Sequence, residues 1–148
     1  MPTPSRNFVL KFLNLFFLLH LAEFTKADEI FLENYLTEIE IANTFEKRKN
    51  GLMYRAELPK NSGMLFIWDN KRFQCMWMKN TSLELNIAFI SNQGEILEIF
   101  DMIPFSTESI CSSRKVKYAL EVNKNWFKEN KINVGDKINL NFINDQQR

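Results

Sequence analysis

The sequence is poor in histidine, glycine and cysteine, and these shortages narrow the range of functions. It contains one histidine, His20, with four glycines and two cysteines. If His20 leaves with an N-terminal signal, as argued below, the mature chain has no histidine. That excludes a Ser-His-Asp triad, a Cys-His pair and a histidine-ligated zinc site. Methionine thioethers are soft metal ligands, but methionine mostly fills gaps in cores, and we predict neither metal nor cofactor.

The N-terminus has the pattern of an export signal. Arg6 precedes an almost wholly apolar run at residues 8–21, and Thr25-Lys26-Ala27 places small residues where a signal peptidase reads. We therefore predict a signal peptide at residues 1–27 and a periplasmic or extracellular location. An uncleaved membrane anchor is the alternative, but polar residues interrupt the run, and a bilayer span needs ~20 mainly apolar residues. After cleavage we expect no stable membrane insertion.

The charge balance of the mature chain argues against nucleic acid as a partner. The whole chain has 19 Lys and Arg against 18 Asp and Glu. Removing Arg6, Lys11 and Lys26 together with Glu23 leaves 16 basic and 17 acidic side chains, a net charge near −1. Phosphate binding needs a surplus of cations on one face. The partner expected here is an unknown small molecule or a protein of the cell envelope.

Cys75 and Cys111 would meet an oxidising compartment after export. A disulfide between them would close a loop that the chain-entropy model values at roughly 4 kcal/mol. The alternative is two buried thiols that never meet. A catalytic thiol is disfavoured because no histidine would lower its pKa.

The hydrophobic pattern predicts an α+β domain built on a mainly antiparallel curled sheet or β-barrel of about six strands, with two short helices. An N-terminal arm at residues 28–37, loosely held, would precede a single domain at 38–148. Asn43 and Glu46 suggest the capping box of a helix over 44–55 that turns Phe45, Leu52 and Met53 inward. The other predicted elements are strands at 38–42, 64–68, 73–78, 85–90, 95–103, 116–122 and 138–142 and a helix at 126–131.

Six short motifs occur in the order and spacing of one known family. They are Gly51-Leu52-Met53-Tyr54-Arg55, Gly63-Met64-Leu65-Phe66, Trp77-Met78-Lys79-Asn80-Thr81, Leu85-Asn86-Ile87-Ala88-Phe89, Leu120-Glu121-Val122 and Val134-Gly135-Asp136. Over about residues 39–140 the chain resembles the domain of unknown function 192 family. The resemblance implies a small barrel-like α+β fold, often exported in bacteria, with no established activity. This chain has Asn86 where the family usually has Asp, and Asn125 where it usually has Gly, which weakens any mechanism based on that Asp.

The most chemical stretch is Trp77 to Thr81. Trp77 offers a flat apolar surface, Lys79 a cation, and Asn80 with Thr81 both donors and acceptors, a set suited to a carbohydrate-like or carboxylate-bearing ligand. The alternative is that Trp77 belongs to the core and that Asn80 and Thr81 bond their own backbone at a strand end.

Glu121 and Arg55 are further candidates for ligand binding. Glu121 lies between Leu120 and Val122 in a predicted strand, so its side chain points to the face opposite those two. If that face is buried, the Glu121 charge needs a partner, and Lys79 is the candidate. A solvated strand glutamate is the alternative. Arg55 either pairs with a carboxylate across the fold or ends a helix, where a cation is favoured.

Three functional classes follow from these residues. The first is a non-catalytic ligand-binding or accessory module of the cell envelope, with its site near Trp77–Thr81. The second is a hydrolase or lyase that uses Glu121 and Lys79 as base and electrostatic stabiliser. The third is a structural or assembly factor, which would show exposed aromatic side chains on the folded surface.

Overall fold

The computed structural model describes residues 29–145 of the chain. The predicted signal peptide, residues 1–27, lies outside the described residues. Among residues 29–145, no helix is both long enough and apolar enough to cross a bilayer.

The fold is mostly β, with short helices at its margins. The strands are β1 (Glu29–Ile30), β2 (Glu38–Ala42), β3 (Ser62–Arg72), β4 (Cys75–Met76), β5 (Leu85–Ile90), β6 (Ile96–Met102), β7 (Ile110–Cys111), β8 (Val116–Asn123) and β9 (Lys137–Ile138). The helices are α1 (Phe45–Asn50), α2 (Trp126–Glu129) and α3 (Phe142–Asp145), with a 3-10 turn at Leu32–Asn34.

One five-stranded sheet organises the domain in the order β2-β3-β8-β5-β6. The β3–β8, β8–β5 and β5–β6 pairs are antiparallel, and β2 adds to β3 in parallel. The prediction of a mainly antiparallel α+β domain is therefore confirmed. The described residues form no closed barrel: β2 and β6 remain the edges of the sheet, so the barrel alternative receives no support.

The central strands are buried on both faces, which explains their continuous apolar sequences. On one face Leu65, Leu120 and Val122 pack with Trp126 and Phe127 of α2. On the other face Phe66, Ile87 and Phe89 form a second cluster, which contains Met78 and the candidate site. Alternation along β3, β5 and β8 assigns successive side chains to the two clusters.

The N-terminal segment is packed against the domain, contrary to the expectation of a loosely held arm. β1 pairs in parallel with β9, and the Leu32 and Leu36 side chains lie in the first cluster. These leucines bury enough apolar surface to fix a segment whose mixed composition looked mobile.

Helix α1 is shorter than predicted and starts one residue later. The Thr44 side chain, rather than Asn43, accepts the backbone N–H of Lys47. Gly51 adopts a φ of 47° and ends the helix. Leu52 is buried as predicted, but Phe45 is 68% exposed, so its inward orientation was wrong. The early end of α1 removes the helical periodicity on which that orientation depended.

Asn86 has a structural role at the turn that follows β8. Its Oδ1 accepts the backbone N–H of Asn125 at 2.7 Å, and Asn125 has a left-handed φ of 68°. Its Nδ2 donates to Asp101 Oδ1 at 2.5 Å. An amide at position 86 thus complements a carboxylate at position 101, because an amide donates where a second carboxylate cannot.

Exchanging Asn86 for the residue usual in the family is expected to be costly. Asn86→Asp would place two carboxylates at hydrogen-bond distance and lower the free energy of unfolding at pH 7 by about 1–3 kcal/mol. Urea denaturation at pH 7 measures the loss, and adding Asp101→Asn to Asn86→Asp should recover most of it. Equal stability of Asn86→Asp and the wild type would contradict this account of the pair.

Candidate functional site

A cavity of about 320 Å³ opens on the second apolar face of the sheet. Its apolar wall is contributed by α1 and the segment after it, by β3, and by the segment from β4 to Met78. The residues are Phe45, Leu52, Met53, Phe66, Trp68, Met76, Trp77 and Met78. This size and lining fall at the small end of the range for ligand pockets in proteins.

Glu121 is the acidic side chain of the cavity wall. It lies on β8 between Met64 of β3 and Ile87 of β5, and it is only 4% exposed. The alternation argument therefore placed it on the correct face, opposite Leu120 and Val122. Burial raises the pKa of the Glu121 carboxyl to about 8, so the group is mainly protonated at neutral pH.

The carboxyl of Glu121 makes no hydrogen bond or ion pair with the residues described. Buried polar groups normally have a partner, and the cost of leaving one without a partner is about 1–3 kcal/mol. A buried titratable group in a cleft whose pKa is strongly shifted is a candidate for a functional site.

A second buried polar group lines the same cavity. Gln74 is 6% exposed, and its Nε2 has no hydrogen-bond partner among residues 29–145. The Gln74 backbone is fixed on both sides: its N–H donates to Ser112 Oγ, and its carbonyl accepts the N–H of Ser112. Ser112, directly after β7, thus holds the Gln74 backbone in place, while the side-chain Nε2 has no partner among the described residues.

Three cations also line the cavity: Arg48, Lys49 and Arg72. Arg48 is half-buried, and its Nη1 donates to the carbonyls of Asn43 and Ile67 at 2.7 and 2.8 Å. Lys49 and Arg72 are exposed. In the described part of the chain, none of the three forms an ion pair. The cavity therefore combines apolar walls, two buried polar groups and a basic border.

The cavity wall includes three of the six predicted ligand-binding residues: Trp77, Thr81 and Glu121. Trp77 is 44% exposed, so it is not a core residue, whereas Thr81 is buried. Thr81 Oγ1 donates to the carbonyl of Lys79 at 3.2 Å, the local backbone bond expected for a threonine at a strand end.

Lys79 and Asn80 lie beside the cavity without lining it. The Lys79 ammonium lies 5.2 Å from the centre of the Trp77 ring, and it forms no ion pair with Glu121. Asn80 Nδ2 donates to Tyr54 Oη at 2.6 Å, and the Tyr54 N–H donates to the Asn80 carbonyl. Asn80 thus holds the neighbouring loop rather than its own backbone.

Arg55 is committed to a carboxylate across the fold, the first of its two predicted roles. Its Nη1 and Nη2 donate to Glu40 Oε1 and Oε2 at 2.5 and 2.8 Å. This two-pronged bond lowers the pKa of Glu40 and raises the pKa of Arg55. The pair lies in a separate surface depression, away from the cavity of Glu121.

Three residues in different loops have an unusual backbone conformation. Tyr54, Asn80 and Phe105 have φ angles of 61°, 55° and 61°, uncommon for residues with side chains. Backbone bonds fix them, including the Phe105 N–H to the Thr81 carbonyl at 2.9 Å. The Tyr54 and Phe105 side chains are exposed. Phe45, which lines the cavity, and Phe73, which precedes Gln74 of the cavity wall, are exposed as well.

Cys75 and Cys111 are joined by a disulfide and face each other across the β4–β7 pair. Cys75 also lines the cavity. The alternative of two separate thiols is therefore not what the structure contains. The crosslink ties the segment that carries Gln74 and Trp77 to the loop before β8.

Sequence reasoning missed Gln74, Arg48 and Arg72. Arg48 stands between Lys47 and Lys49, and no local pattern distinguishes it from these neighbours. Alternation along β3 was an available signal for the apolar wall of the cavity, because it puts the Phe66 and Trp68 rings on one face of the strand.

Comparison with known proteins shows a family and several similar solved structures. The model of the DUF192 family, described as Uncharacterized ACR, matches residues 29–140. One similar structure is a proposed transcription regulator from Sinorhizobium meliloti 1021, with 38% identity and a TM-score of 0.65, covering 67% of this chain and 78% of that chain. Another is a protein of unknown function from Novosphingobium aromaticivorans, with 28% identity and a TM-score of 0.65, covering 67% and 71%. No curated protein matches this chain.

Proposed function

This chain belongs to the DUF192 family, and we propose that it is a non-catalytic module that binds a small molecule in the cavity lined by Glu121. The observation that carries the proposal is that two buried polar side chains line one largely apolar cavity: Glu121, whose carboxyl forms no ion pair with the described residues, and Gln74, whose Nε2 has no hydrogen-bond partner among them. A ligand that hydrogen-bonds both would relieve the cost of their burial.

The proposal extends to the place of action. A segment with the pattern of a signal peptide and a disulfide in the domain both fit a protein exported to the periplasm or the extracellular space. The description of the Sinorhizobium relative as a proposed transcription regulator is not carried over. A net charge of +1 over the whole chain provides no general attraction for nucleic acid.

A small neutral probe tests the cavity as a binding site. We expect 3-phenylpropan-1-ol to bind with a Kd of the order of 1 mM, which corresponds to about −4 kcal/mol. NMR titration should move the Trp68 and Trp77 indole N–H resonances in the wild type. Met53→Trp, which fills the wall, should weaken binding at least about fivefold.

Ile103→Trp is the matched control, because it adds the same ring at an exposed position outside the cavity wall. It should leave the Kd unchanged. Binding that survives Met53→Trp unaltered, or no binding to the wild type at about 10 mM probe, would contradict the proposed site.

Exposed aromatic side chains favour a second candidate, a structural or assembly factor. Phe45, Phe73, Trp77 and Phe105 are between 44% and 68% exposed, and exposed apolar surface marks a site of protein interaction where it forms a contiguous patch. Phe45 and Trp77 also border the cavity, so a ligand would cover part of the same surface. The hydrolase hypothesis is less favoured, because its two residues form no pair: Lys79 is not part of the cavity wall.

A further inference from the structure

The charges around the cavity restrict the chemistry of its ligand. Arg48, Lys49 and Arg72 line it, and the acidic residue in the wall, Glu121, is buried in apolar surroundings that favour its neutral form. Asp69 lies near Arg48 and Arg72 in a small adjoining depression but forms an ion pair with neither. The cavity thus carries three cations whose charge no neighbouring carboxylate directly pairs.

Arg48 is the cation best prepared to meet a ligand. Two carbonyls hold its Nη1, while its Nε and Nη2 have no hydrogen-bond partner in the described part of the chain. A guanidinium fixed by the backbone loses little conformational entropy when it binds, and its free N–H groups suit a carboxylate or phosphate.

Glu121 and Gln74, which line the same cavity, restrict a second part of the ligand. A protonated carboxyl and an amide Nε2 both donate hydrogen bonds, so they suit an acceptor oxygen. The cavity wall also contains aromatic and thioether surfaces, including Phe66, Trp68 and Met78. The volume of about 320 Å³ leaves room for roughly ten groups the size of a water molecule.

Resting on the binding function proposed above, we propose that the ligand is a small amphipathic organic anion, with its apolar body in the cavity and its anionic head against Arg48 and its neighbours. The proposal disfavours the carbohydrate-like ligand that the Trp77–Thr81 motif also suits, because a neutral sugar offers the half-buried Arg48 guanidinium no anionic partner. The anion and the apolar body are both required for recognition.

The test compares three probes on the full protein at pH 6.5 and low salt. They are 3-phenylpropanoate, the uncharged 3-phenylpropan-1-ol with the same body, and inorganic phosphate, an anion without a body. We expect the carboxylate to bind at least about tenfold more tightly than the alcohol, and its advantage to fall as salt is added. Phosphate should be the weakest of the three.

Arg48→Gln should remove most of the difference in affinity between the carboxylate and the alcohol. The Kd of the carboxylate should rise about three- to tenfold, while the Kd of the alcohol changes little. Arg114→Gln makes the same exchange outside the cavity wall and should change neither Kd. Circular dichroism and the unchanged alcohol affinity would show that Arg48→Gln has not simply unfolded the site.

The outcomes separate the two proposals. Equal binding of alcohol and carboxylate would overturn the anionic ligand and keep the cavity as a binding site. Phosphate binding as tight as that of the carboxylate would also overturn it, because the apolar body would then be irrelevant. No binding of either phenyl compound would overturn the proposed function itself and this inference with it.

Discussion

Raising the pH from 4.5 to above 8 is expected to lower the free energy of unfolding by about 5 kcal/mol, because the buried Glu121 must ionise in the folded protein. Glu121→Gln is expected to abolish that loss. The folded-state pKa of Glu121 is about 8, against a reference of 4.5 in the unfolded chain. Each unit of difference is worth about 1.4 kcal/mol once the group ionises.

The sign follows from where the proton is held. Between pH 4.5 and 8 the folded protein keeps a proton on Glu121 that the unfolded chain has lost, so a rising pH favours unfolding. The stabilisation that the protonated Glu121 contributes is fully present below pH 4.5. It is lost as the pH rises through the folded-state pKa of about 8. Urea denaturation at pH 5, 6.5 and 8.5 measures it for the wild type and for Glu121→Gln.

Near pH 5 the two proteins should differ by no more than about 1 kcal/mol, because Gln is a neutral analogue of the protonated side chain. At pH 8.5 the variant should be the more stable, with a Tm higher by roughly 15 °C. Glu108→Gln removes an exposed carboxylate and should keep the wild-type pH profile. Parallel pH profiles for Glu121→Gln and the wild type would show that Glu121 ionises normally in the fold.

Removing the disulfide is expected to lower the free energy of unfolding by about 4 kcal/mol. The crosslink joins residues 36 apart in sequence, and in the chain-entropy model a loop of this length restricts the unfolded state by about that amount. β4 and β7 contain two residues each, and so short a ladder is not stable without further support. The variant to measure is Cys75→Ala with Cys111→Ala, by urea denaturation.

A reductant supplies the control for this experiment. It should lower the stability of the wild type toward that of the double variant and leave the double variant unchanged. Affinity for 3-phenylpropan-1-ol should fall as well, because Cys75 lines the cavity and the same segment carries Gln74. Equal stability of the oxidised wild type and the double variant would mean that the loop is constrained without the crosslink.

Local patterns predicted the strands well where a strong signal was present. β2 and β5 have the predicted bounds, because an alternating segment in one case and an apolar run in the other leave few alternatives. Helix α1 was predicted to extend too far, since Gly51, with its positive φ, stops it before the apolar residues that suggested its length. β7 was missed inside a polar loop, because its pairing with β4 is decided by a distant segment.

For the candidate site, alternation was enough to assign Glu121 to the face opposite Leu120 and Val122. It could not show that this face is buried, because burial depends on the segments after α1 and β4 that cover it. Arg55 shows the same limit: the sequence allowed two roles, and β2 supplied the carboxylate of Glu40 that decided between them.

The sequence alone therefore determined the α+β class, the family motifs, most of the strand positions and the direction of Glu121, since these depend on neighbours within a few residues along the chain. Tertiary structure alone decided that Glu121, Gln74 and Arg48 share one cavity while Lys79 stays outside it. The physical reason is that burial, charge pairing and pKa depend on distances across the fold, and residues far apart in sequence set those distances.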